Sequence, residues 1–277
     1  MQKNECLVGR NMRDERTIKL LCIKGEIVGV TAPFKRTARI FTDNTYSDSG
    51  KWMYVLHQNY ADSPENFVRA FLLIQKDVLE LFDYIEPSDT NLAAHSHRIH
   101  ELLLRTCVEI EANCTAILRE NGYVRSGNWN MGDYKKIEQS HYLSQFKVKV
   151  PNWLGSAGVR TPFASWASSG TLAWYTAYNQ TKHDRHLNFT QANFENLIDA
   201  VTGLSVLLAS QFLGNDFSPA GMGLSVNPGG PSDGFEPSMG GFFRLEFPTN
   251  IPEADKYDFT HSDIDFTNDI FQNFNYT

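Results

Sequence analysis

Long apolar runs, paired cysteines and an excess of basic residues are all missing from this sequence of 277 residues. No stretch approaches the ~20 apolar residues that a membrane-crossing helix needs. The richest run, 204–213, is short and interrupted by Ser205, Ser210 and Gln211. Residues 1–16 are polar and hold no apolar signal region. The four cysteines, Cys6, Cys22, Cys107 and Cys114, offer neither a CxxC pair nor a metal-ligand spacing. The expectation is a cytoplasmic protein with reduced thiols and no membrane partner. With 25 Lys and Arg against 32 Asp and Glu, the formal net charge is −7. That excludes broad, nonspecific duplex binding but leaves room for a small basic pocket. A phosphate loop of the GxxxxGK[ST] type and the spacing of a calcium loop are also absent, so neither a cofactor nor a metal is expected.

What remains is helical periodicity. Ser63, Pro64 and Glu65 form a helix start, with serine as the cap and proline at the first helical position. Phe67, Ala70, Phe71, Ile74, Val78, Leu81, Phe82 and Ile85 then recur at three and four, up to Pro87. A second helix is predicted over 94–121, with the stripe Leu103, Cys107, Ile110, Cys114 and Ile117, widened by Leu104, Val108 and Leu118. Glu111 falls inside that stripe, with His97 and His100 on the same side. A last long helix is predicted from a Thr190 cap, with Phe194, Leu197, Ile198, Val201, Leu204, Leu208 and Phe212 on one face. Residues 131–145 read as a shorter helix. Strand signals sit at 17–31, 38–42, 52–56, 146–153 and 241–247.

The expected architecture is α+β, mainly α. A long-helix bundle over 61–214 is joined to a small N-terminal antiparallel β-layer over 1–60. A Gly/Pro-rich loop and an acidic, aromatic tail fill 215–277.

Chemistry concentrates in 168–189, SSGTLAWYTAYNQTKHDRHLNF. Read as one continuous helix, it places Tyr175, Tyr178, Asn179, Lys182, His186 and Phe189 within one third of the circumference. Trp174 and Arg185 lie at one border and His183 at the other. Polar groups inside an apolar stripe need a partner, a cleft or a ligand. Two amphipathic helices with polar groups on their apolar sides are most cheaply buried against each other. Glu111 is therefore expected within hydrogen-bond or salt-bridge distance of Lys182, His183 or His186. The candidate catalytic residues are His183, His186, Lys182, Arg185 and Glu111, with Tyr175, Tyr178, Asn179 and Trp174 as candidate binding residues able to stack on a base. The competing reading is a purely structural network.

The residues LLLRTCVEIEANCTAILRENGY (102–123), AWYTAYNQTKHDR (173–185) and NFTQANFENLIDAV (188–201) resemble an uncharacterised family of bacterial proteins. The order of long helices over 63–213 resembles the HEPN class of bundles. That resemblance implies metal-independent RNA cleavage in a defence or toxin system, with a histidine as general acid or base and a nearby cation. It also implies RNA as partner and a homodimer as assembly. Active HEPN nucleases carry an arginine with a histidine four to six residues downstream, and no arginine of this chain has one. The other expectation is a noncatalytic bundle that binds a protein partner or acts as a sensor.

Overall fold

A computed structural model describes residues 29–168, 170–217, 232–265 and 267–277. Four helices carry the architecture: α1 (Pro64–Phe82), α2 (His97–Glu120), α5 (Ala173–His183) and α7 (Phe194–Phe212). Short helices α3 (Met131–Tyr134), α4 (Glu138–His141) and α6 (Arg185–Asn188) complete the set among the described residues. α2 and α7 make the main packing contact, with α1 and α5 against both.

The predicted stripes of α2 and α7 are buried as the period requires, while in the stripe predicted for α1 Phe71, Ile74, Val78 and Leu81 are buried and Phe67, Ala70, Phe82 and Ile85 only partly so. Leu103, Cys107, Ile110, Cys114 and Ile117 of α2 are closed to solvent, as are Phe194, Leu197, Ile198, Val201, Leu204, Leu208 and Phe212 of α7. On α7, burial goes all the way round, from Ala200 to Leu213. This is the signature of a central rod rather than an amphipathic surface helix. Val108 does not widen the α2 stripe; it is 51% exposed.

Helix starts depart from expectation in detail. Ser63 adopts a left-handed conformation (φ 48°) and does not cap α1; its hydroxyl donates to Asp62 instead. α7 is capped by Asn193, whose side chain accepts from the Asn196 amide at 3.0 Å, not by Thr190. The 131–145 helix is divided into short α and 3-10 turns, and Tyr142, at a positive φ of 53°, ends the one at His141.

The sheet lies elsewhere than expected. Its strands are β1 (Lys147–Lys149), β2 (Val159–Arg160), β3 (Glu236–Pro237) and β4 (Arg244–Glu246), antiparallel in the order β2-β1-β4-β3. Val148 pairs with Leu245 in register, and Lys147 meets Glu246 across the strands at 2.8 Å. The signals at 146–153 and 241–247 are therefore real strands. The N-terminal β-layer is corrected: most of the 17–31 signal lies outside the described residues, and 29–60 holds no strand. Asp48–Leu56 is instead a helical turn, and Phe41 forms a single bridge to Tyr257.

The segments flanking the bundle share its core. One hydrophobic cluster draws its members from as early as Ala38 and as late as Tyr276. Tyr54 and Phe41 interlock edge-to-face with Tyr257 and Phe259, and Tyr60 packs edge-to-face on Tyr54. The acidic tail docks on the chain itself: Gln272 exchanges backbone bonds with Pro33 and Lys35, and the Phe274 amide donates to Asn121.

Two buried polar groups fix this interleaving. Arg36 is fully enclosed. Its guanidinium donates to Glu120 at 2.6 Å, Gln211 at 3.0 Å and the Asp62 carbonyl at 2.7 Å, over the Phe67 ring. His141 Nε2 donates to the Arg36 carbonyl at 2.8 Å, and its Nδ1 meets the Ser140 hydroxyl at 2.6 Å. Burial pushes the His141 imidazole down to about 3.

Removing Glu120 strands a buried cation. Glu120→Ala is expected to lower unfolding free energy by about 3 kcal/mol, toward the lower end for broken buried pairs because Glu120 is partly wet. Urea unfolding with no loss would contradict this. His141 titrates more readily in the unfolded chain, so acid favours unfolding. Stability should fall as pH drops below about 6.5, with a slope approaching ~1.4 kcal/mol per pH unit. His141→Gln should flatten that slope in denaturation measured across pH.

Candidate functional site

The predicted continuous helix over 168–189 is two helices. α5 begins at Ala173 and stops at His183, where Asp184 turns to φ −142° and ψ 76°. Aspartate favours caps over helix interiors because its carboxylate competes for backbone amides. Here it accepts from the Leu187 amide at 3.2 Å and starts α6. The break changes the phase of everything after it. His186, expected inside the apolar stripe, is exposed, as are Lys182, His183 and Arg185. These four side chains decorate an exposed knee.

On the near side of the break, the aromatic residues divide by depth. Trp174 is buried against Phe163, and its Nε1 donates to the Pro162 carbonyl at 2.9 Å. Tyr178 is 1% exposed. Neither leaves a free ring face for a base to stack on, so the binding role expected of Trp174 and Tyr178 is replaced by a core role. Tyr175 and Asn179 are half-buried.

α2 and α5 do pack together, but the expected pairing of Glu111 with Lys182, His183 or His186 is not made. The Glu111 carboxylate accepts from the Tyr175 hydroxyl at 2.7 Å. Lys182 donates to the Tyr178 hydroxyl at 2.9 Å, its amine 4.9 Å from that ring's centre. Two tyrosines with rings 5.3 Å apart thus stand between acid and base. The reason is reach: a tyrosine extends far enough to meet the half-buried carboxylate, while the lysine amine escapes to water along the ring beside it. Electrostatics still link them. The Tyr178 hydroxyl raises the Lys182 pKa, with the Glu111 charge acting in the same direction. Burial and Glu111 both push the Cys107 thiol up, away from reactivity.

The start of α2 lies beside the knee. Ser96 caps it, accepting from the Ile99 amide at 3.2 Å. The Phe189 ring, just past α6, is flanked by His97, His95 and His100, at 4.7, 5.7 and 6.1 Å between ring centres. His100 is buried, and burial lowers its pKa, followed by the charge of Arg185. The histidines of HSHRIH read as a polar helix end; their convergence on Phe189 depends on the break at Asp184, which the helical period does not reveal.

A separate open groove of about 390 Å³ lies over the Arg36–Glu120 pair and includes Lys35, Asn59, Asp62 and Asp269. None of the sequence-predicted residues reaches it. Among the described residues, no cluster of three or more His, Cys, Asp or Glu side chains could hold a metal ion. No described helix is long and apolar enough to cross a membrane. No protein-family model, curated protein or solved structure matches the chain.

Tyr175→Phe deprives a half-buried carboxylate of its donor. A loss of about 1–2 kcal/mol is expected in urea unfolding. Adding Glu111→Gln should recover part of it, because a neutral amide tolerates the site better. Unchanged stability in Tyr175→Phe would show that Glu111 is solvated.

Proposed function

We propose that this chain is a HEPN-like helical-bundle protein that cleaves RNA without a metal ion, at the knee between α5 and α6. The observation that supports the reading is the knee itself: Lys182, His183, Arg185 and His186 are all exposed within five consecutive positions. Two imidazoles and two cations are the groups that phosphodiester transfer requires. On a chain of net charge −7, a local cationic rim is also the place where a polyanion can approach.

In this reading, His183 takes the proton of a ribose 2′-hydroxyl, and the 2′-oxygen attacks the adjacent phosphorus. The bond from phosphorus to the 5′-oxygen breaks, and His186 protonates the leaving oxygen. The products are a 2′,3′-cyclic phosphate and a 5′-hydroxyl. Lys182 and Arg185 stabilise the charge that builds on the phosphoryl oxygens. Glu111 acts at a remove, through the tyrosine pair that holds Lys182.

A second reading, a noncatalytic bundle that binds a protein partner or a second copy of itself, is favoured by one specific observation. Glu111 and Lys182 are each satisfied by a tyrosine hydroxyl. A closed network of this kind serves helix register as well as it serves catalysis.

Incubation of single-stranded RNA with the purified chain and a chelator separates the two. The nuclease reading expects fragments ending in cyclic phosphate, and a rate at least ~100-fold lower in His183→Ala, the lower range for loss of a general acid or base. Intact RNA, or an undiminished rate in that variant, overturns it and leaves the interaction reading.

A further inference from the structure

The groove over the Arg36–Glu120 pair contains no residue of the knee, and the fold holds its walls in place. Those walls come from segments far apart in the chain, with Lys35, Asn59, Asp62, Glu120 and Asp269 among them. The enclosed Arg36 ties two of the segments together. Its guanidinium binds Glu120 and the Asp62 carbonyl, and the other Glu120 oxygen accepts from the Asp62 amide at 3.0 Å. Lys35 is fixed by its backbone, which donates to Gln272 at 3.2 Å and accepts from the Asn121 carboxamide at 3.1 Å. The Asp269 carboxylate is fixed by the Phe271 amide at 3.1 Å. A site held in this way loses little free energy to ordering when a ligand enters.

The lining offers a mixed set of open polar groups. The side chains of Lys35, Gln58 and Asn59 form no hydrogen bond or ion pair among the described residues. Asp62 and Asp269 each engage one carboxylate oxygen, with Ser63 and Phe271, and keep the other open. Glu120 engages both of its oxygens, and Arg36 offsets its charge. What is left is two carboxylates, one ammonium and two carboxamides, with two negative charges against one positive. The chain as a whole, at −7, draws cations from solution. At about 390 Å³ the groove lies near the small end of ligand sites, ~300–1,000 Å³, so it suits a small molecule rather than a length of polymer. The complement of its charges is a small frame with two positive groups and one negative. A free basic amino acid has that pattern: an α-ammonium, a side-chain cation and an α-carboxylate.

We propose that this groove binds a free basic amino acid such as arginine. Lys35 and the carboxamides of Gln58 and Asn59 meet the α-carboxylate. Asp62 and Asp269 meet the two cations, and the planar fork of a guanidinium matches a carboxylate with two parallel hydrogen bonds. The site is separate from the knee, so it goes beyond the nuclease reading and does not rest on it.

The test is calorimetric titration of the intact chain with L-arginine, at an ionic strength held constant with sodium chloride. Two analogues each remove one charge: agmatine lacks the carboxylate, and citrulline lacks the side-chain cation. The expected result is saturable binding of arginine, with each analogue about 10-fold weaker, the size of one charge-assisted hydrogen bond. In Lys35→Met the affinity for arginine should fall to that for agmatine, while agmatine itself loses nothing. Asp269→Asn should weaken arginine by about 10-fold; asparagine keeps an oxygen for the Phe271 amide, so the fold is not disturbed. No saturable binding of arginine, agmatine bound as tightly as arginine, or an arginine affinity unchanged in either variant overturns the site. RNA cleaved by a chain that ignores arginine removes this site and leaves the nuclease reading. Arginine bound by a chain that leaves RNA intact does the reverse.

Discussion

The enclosed guanidinium of Arg36 is the interaction on which the rest of the structure depends. A cation cannot be taken from water unless its donors are met. Here they are met by three parts of the chain distant in sequence: Glu120 at the end of α2, Gln211 at the end of α7 and the Asp62 carbonyl before α1. Gln211 passes the connection on to Asn113 of α2. The backbone of the same arginine receives His141, which joins the turns after α2 to the set. One residue outside the bundle therefore ties the start of α1 to the ends of α2 and α7. Arg39, three positions later, is buried with other partners, the carbonyls of Ser140 and Asp255 and the rings of Phe34 and Phe274, while its Nη2 finds no acceptor among the described residues. Together they explain why 29–42 and the tail pack as part of the core instead of as appendages.

Around that hub, the apolar contribution comes from α7. A helix buried on every side satisfies its backbone internally, but its polar side chains must be answered one by one. Thr202 and Ser210 bond back to their own helix, and Gln211 finds Arg36 and Asn113. Most of the rod's buried polar residues fold back or sit where the buried arginine needs an acceptor; the Ser205 hydroxyl is left without a partner among the described residues.

The helical stripes were legible because a 3.6-residue period records burial directly: the α2 and α7 faces named from spacing are closed in the fold. The strands at β1 and β4 were legible as local alternation, but their pairing joins residues about a hundred positions apart, and nothing local encodes it. Arg36 and Arg39 gave no signal, since a charged residue in an irregular segment reads as surface until its partners are known. The inward setting of Glu111 was legible from the wheel, yet its partner was not. The wheel gives direction and not reach, so it could not choose Tyr175 over Lys182. The candidate site suffered most, because a continuous wheel drawn through 168–189 carries its phase across Asp184, where the helix ends.

That break is what gives the candidate site its character. Had α5 continued, His186 would face the bundle, Arg185 would turn with it, and the polar groups of the helix would have to neutralise one another in the core. Stopping at Asp184 ends α5 with Lys182 in its last turn, where a cation offsets the negative end of the helix. It then brings Phe189 to the opposite, positive end of α2. Two helix termini of opposite sign thus meet at one edge of the molecule. At the α5 end the fold itself supplies the compensating charge. At the α2 end it sets three histidine rings around Phe189 and caps the first turn with Ser96.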